Sequence, residues 1–134
     1  MKKWNFVCNK DEIEVGSRKI VVINNRSIGI FNVNGEFFAI ANLCPHKLAP
    51  LCQGVLTGIN CADQPGKFIR KREGEIIRCP WHGWEFDIKT GKSVFNPNSV
   101  RAKTFQVCFE NENEGNSLET FPIKLKKQKV MIYI

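Results

Sequence analysis

Two short segments, Cys44-Pro45-His46 and Cys79-Pro80-Trp81-His82-Gly83-Trp84, each carry one thiol and one imidazole at close spacing, and they contain both histidines of the chain. For these side chains to act together, a fold must bring the two segments to one place although residues 47–78 lie between them. Two short loops brought together by paired strands meet that demand. The surrounding sequence supplies strands: apolar residues recur at period two in bursts rich in Val, Ile and Phe, and no segment carries a helical stripe. Strands are predicted over 19–23, 28–33, 36–41, 75–79, 85–88, 104–109 and 129–134, so the fold class is all-β. Asn34-Gly35 suits the positive φ angles of a two-residue hairpin. Glu73-Gly74 and Lys89-Thr90-Gly91 are read as further turns joining hairpin strands. Residues 42–60, 61–67 and 110–116 are read as loops.

The chain of 134 residues is long enough for one hydrophobic core, and 43% apolar with 25% charged residues is a globular balance. One domain over residues 1–134 is expected. No apolar run resembles a signal peptide or a membrane span, which points to the cytoplasm and to no membrane partner. In that reducing setting the six cysteines are ligands or buried apolar residues rather than a disulfide framework. Cys52 is expected to pack beneath the first loop and Cys108 to lie buried in a strand, whereas Cys8 and Cys61 are expected at the surface. The net charge is +7, with basic clusters at 70–72 and 124–129. No helix-turn-helix, zinc-finger or aromatic-basic RNA motif accompanies it, so nucleic acid is not an expected partner. An acidic protein partner or a plain solvated face remains.

Two thiols and two imidazoles are the donor set of a [2Fe–2S] cluster with two Cys on one iron and two His on the other. They are also a common zinc set, although zinc fingers usually group Cys with Cys and His with His instead of one of each per box. Pro45 and Pro80 stiffen the loops, and Gly83 lets backbone approach the inorganic sulfides. Trp81 and Trp84 are expected to shield the site from water.

Cys-Pro-His followed by Cys-Pro-Trp-His-Gly-Trp-Glu-Phe-Asp resembles the two cluster-binding boxes of the Rieske family, and the likeness runs over about residues 20–96. The resemblance implies antiparallel sheets with a small cluster-binding subdomain near residues 42–88. It also implies one [2Fe–2S] cluster on Cys44, His46, Cys79 and His82. The gap between the boxes is longer than in compact Rieske ferredoxins of ring-hydroxylating oxygenases, and the extra length at 58–74 reads as an exposed excursion. High-potential members carry a disulfide and hydroxyl donors at positions that here look like Ala49, Trp81, Trp84 and Phe86. Fewer donors to the sulfides imply a potential low in the Rieske range.

The function expected is single-electron transfer as a ferredoxin-like component of an oxygenase or reductase system. The partners would be a flavoprotein reductase and an oxygenase or reductase large subunit. A small Rieske subunit of a larger complex, of the nitrite-reductase type, is the alternative. Oxygen activation by this chain alone is disfavoured, because the usual triad of two His and one carboxylate needs histidines that the cluster already uses.

Overall fold

A computed structural model describes residues 2–45, 48–64, 66–81, 83–111 and 128–134. Among the described residues nine strands form two antiparallel sheets. The larger sheet joins β1 (Trp4–Asn9), β9 (Gln128–Tyr133), β8 (Thr104–Asn111), β4 (Glu36–Ala41), β3 (Arg26–Val33) and β2 (Arg18–Ile23), in that order. The smaller one joins β5 (Val55–Gln64), β6 (Lys67–Arg78) and β7 (Glu85–Asp87). Short 3-10 turns cover Lys10–Glu12 and Leu51–Gln53. Among the described residues no helix is long and apolar enough to cross a membrane.

Asn34 and Gly35 take φ +53° and +94° and close the β3–β4 hairpin as expected. Asn24 and Asn25, at φ +50° and +62°, close the β2–β3 hairpin in the same way. Asparagine tolerates this left-handed region better than most residues.

The β3–β4 hairpin is buried on both faces. Ile28, Ile30, Phe37 and Ala39 pack into one core with Cys8, Ile13, Val130 and Ile132. Phe31, Val33 and Ile40 turn the other way, into a second core with Cys44, Leu51, Cys52, Ile77, Cys79, Phe86 and Ile88. Val7 on β1 and Val21 on β2, strands at opposite edges of the large sheet, pack on the same first core. A flat sheet would hold those edges about 24 Å apart at the usual strand spacing, so the sheet curls around that core.

Several expectations need correction. β1 was not expected; only Cys8 in it is fully buried, so its apolar pattern is weak. Residues 55–64, read as loop, form β5, and residues 67–74 extend β6 backward from the expected start at 75. The excursion at 58–74 is therefore a paired hairpin arm, with Asn60 opposite Arg70 and Gln64 opposite Lys67. Glu73-Gly74 is not a hairpin turn but part of a bulge inside β6. Thr57 pairs with Ile76 and Ile59 with Lys71, so residues 72–75 oppose Gly58 alone. Arg72 and Gly74 take φ +56° and +81° there. The expected loop at 110–116 begins with two residues that belong to β8; residues 112–127 lie outside the described residues.

The bulge is pinned from below. Arg72 Nε donates to Glu75 Oε1 at 2.9 Å and its terminal nitrogen to Asp87 Oδ2 at 2.8 Å, with Lys89 Nζ 3.4 Å from Glu75. Arg72 is the main reason that the Glu75 carboxyl lies below the usual carboxylate range. A Cβ on Gly58 would stand 2.5 Å from the Lys71 carbonyl oxygen, so the opposing strand needs glycine beneath the bulge.

Candidate metal centre

β4 delivers the chain to the first box and β6 to the second. Cys44 and Cys79 are fully buried and belong to the same core. His46 and His82, the other two expected ligands, lie outside the described residues.

The two boxes share one backbone design. In the first, Leu48 N–H donates to Cys44 O at 2.7 Å and Cys44 N–H donates to Ala49 O at 2.8 Å. In the second, Gly83 N–H donates to Cys79 O at 3.1 Å and Cys79 N–H donates to Trp84 O at 2.7 Å. The offsets match: the fourth residue after each cysteine donates to it, and the fifth accepts from it. The fourth residue is left-handed in both loops, with φ +57° at Leu48 and +72° at Gly83. Gly83 takes that conformation at little cost, whereas a leucine there stores about 1–2 kcal/mol of backbone strain. Each loop thus closes by hydrogen bonds onto the backbone of its buried cysteine.

Three residues that the sequence did not single out tie the turn after the first box to the large sheet. Asn42 N–H donates to Ser27 O at 2.9 Å, its Nδ2 to Ser27 Oγ at 3.1 Å, and its Oδ1 accepts the Cys52 N–H at 2.8 Å. Arg18, on β2, donates from Nη1 to the carbonyls of Cys52 at 2.7 Å and Gly54 at 2.5 Å, with its guanidinium over the Phe31 ring. A Cβ on Gly29 would collide with Cys52 Sγ, so this glycine makes the space in which Cys52 sits. A cation in a predicted strand, an asparagine in a predicted loop and a glycine in a hairpin give no pattern by which sequence alone distinguishes them.

Cys52 is buried beneath the first loop as expected, and burial pushes its thiol up to about 12. Cys8 is buried too, contrary to its expected exposure, because it faces the first core; burial also raises its thiol. Cys108 is half-buried rather than buried. The side chain of Cys61 lies outside the described residues. Trp84 packs against the second core and lies 6.4 Å from Phe86, nearly parallel to it, consistent with shielding. Trp81 does not shield in this way: it is 61% exposed at the loop surface.

The donor chemistry fits an iron–sulfur cluster held by two loops. The family model of the Rieske [2Fe-2S] domain matches residues 3–122. A ferredoxin component of naphthalene 1,2-dioxygenase/salicylate 5-hydroxylase systems from Ralstonia sp is 32% identical over 110 residues, covering 82% of this chain and 90% of that protein. The ferredoxin component of a naphthalene 1,2-dioxygenase system from Pseudomonas putida is 30% identical, covering 81% and 89%. Among solved structures, the Sphingomonas yanoikuyae B1 ferredoxin aligns with TM-score 0.60 and 29% identity over 81% of this chain and 91% of that one. The chain belongs to the Rieske [2Fe-2S] domain family. Its cofactor is accordingly one [2Fe–2S] cluster, and the zinc alternative falls away.

Proposed function

We propose that this chain is the electron carrier of a multicomponent oxygenase system in the cytoplasm, accepting one electron from a flavoprotein reductase and passing it to the oxygenase. The observation that carries the reading is the pair of matching loops over Cys44 and Cys79 in a chain aligned along most of its length with ferredoxin components. In this reading Cys44 and Cys79 supply two thiolates to one iron, and His46 and His82 supply two imidazoles to the other.

A bound cluster supplies a centre that takes up and returns one electron. The chain does the rest. Two loops closed by backbone hydrogen bonds keep the ligands in place between redox states, which limits reorganisation. Leu51, Phe86 and Trp84 exclude water from the thiolate side. Leu43, Leu48 and Trp81 are exposed around the boxes and give a partner apolar surface close to the cluster.

The test is chemical and functional. The purified protein should hold two irons and two acid-labile sulfides and show a Rieske EPR signal once reduced. It should also support turnover when it replaces the ferredoxin of the Ralstonia system with that system's reductase and oxygenase. Absence of the signal, or reduction with no transfer to any oxygenase or reductase component, would refute the reading.

A further inference from the structure

Some of the described cations are matched by carboxylates. Lys19 lies 3.3 Å from Glu12, Arg78 lies 3.4 Å from Glu85, and Arg72 and Lys89 share Glu75. A different arrangement holds at one end of the large sheet, where a groove of about 550 Å³ is lined by Lys2, Arg26 and Lys103 together with Thr104, Gln106 and Tyr133. No Asp or Glu side chain among the described residues lines it. Among the described residues none of the three cations has an ion pair; Lys103 only lies over the Phe105 ring. Unmatched cations beside hydroxyl and amide groups suit carboxylates, which accept hydrogen bonds from all of them.

The position of the groove gives this charge a use. It lies where β3 begins, β8 begins and β9 ends, the same end from which β4 leaves for the first box. Lys103 O accepts the Ala41 N–H at 2.8 Å, and Ser27 O, next to Arg26, accepts the Asn42 N–H at 2.9 Å. Exposed Leu43 is all that separates that contact from Cys44. A surface that reaches from the apolar rim of the first box into the groove has an apolar centre and a charged flank, the usual anatomy of a protein interface.

We propose that this groove binds an acidic segment of the redox partner and so holds the partner over the first cluster box. The proposal rests on the electron-carrier reading, and names the chemistry of the partner's contact surface.

An octaglutamate peptide is the probe, titrated calorimetrically into the holo-protein at about 20 mM salt, where screening is weak. Arg26→Glu/Lys103→Glu should weaken binding about tenfold or more, and Arg26→Gln/Lys103→Gln by a smaller factor. Lys10→Glu/Lys129→Glu carries the same net charge but alters the far ends of β1 and β9, and should change binding about twofold or less. Binding should vanish near 1 M salt. The proposal is overturned if the wild type does not bind, if both charge-reversed pairs lose affinity equally, or if only the Lys10/Lys129 pair matters. A single-stranded oligonucleotide of equal charge that binds the groove more tightly than the peptide would overturn the acidic-protein assignment. The Rieske EPR signal on the same samples confirms that each variant is folded, and judges the electron-carrier reading separately, since peptide binding needs no electron transfer.

Discussion

The thiols of Cys44 and Cys52 are both buried in one core, yet their surroundings assign them opposite tasks. Cys44 opens a loop whose backbone turns over it, while Cys52 fits against Gly29 with its Sγ 3.5 Å from the Ile40 carbonyl. An unfolded Cys52 would ionise near 9.0, the folded one only at about 12. The folded state therefore binds the extra proton between these values. The stability contributed by the protonated thiol is complete below pH 9 and is lost as pH rises towards 12. The urea midpoint of the holo-protein should fall over pH 9 to 11, with a shallower fall in Cys52→Ala; parallel slopes would contradict the burial argument. Replacing Cys44 or Cys79 by Ala should abolish cluster assembly, seen as loss of visible absorbance. Ser at Cys8, Cys52, Cys61 or Cys108 should leave the colour intact. His46→Cys or His82→Cys should lower the potential or cost the cluster, because a thiolate donates more charge than a neutral imidazole.

At the scale of elements, the two boxes share one backbone hydrogen-bond pattern, and a different residue takes its left-handed position in each. Gly83→Ala should destabilise the protein by about 1–2 kcal/mol, since the space around a Cβ is open and only the positive φ opposes it. Leu48→Gly should be neutral or gain up to about 1 kcal/mol, the relieved strain being partly offset by chain entropy. Thermal melts of the holo-proteins check both. The hairpin arm makes a separate prediction: joining Ile59 to Lys71 through Asn-Gly should leave the EPR spectrum unchanged, because beyond the bulge β5 and β6 pair with each other and carry neither cluster box. Sequence made some of this legible. Asn34-Gly35 and the Val/Ile/Phe bursts mark the β3–β4 hairpin, and the boxes mark the proposed ligands. Gly66, Gly58 and Gly74 concealed the arm, because the same residues that punctuate a loop also turn and bulge a hairpin. The matching of the two loops was hidden as well, since Leu48 gives no hint of a left-handed conformation.

For the whole molecule, the absence of hydroxyl side chains at Ala49, Trp81, Trp84 and Phe86 should place the midpoint potential low in the Rieske span, about −150 to 0 mV. Protein-film voltammetry settles it, and a value among the high-potential members would refute the tuning argument while leaving the cofactor untouched. Lys124, Lys126 and Lys127 of the basic cluster at 124–129 lie outside the described residues, so salt dependence of electron transfer is argued from the groove instead. There remains the hairpin with no solvent face. Because β3 and β4 form a wall common to both cores, neither the sheet nor the cluster end can melt and leave the other dry. Removing iron should thus be felt far from the iron: calorimetry should show one endotherm for the holo-protein and one, displaced downward as a unit, for the apo-protein.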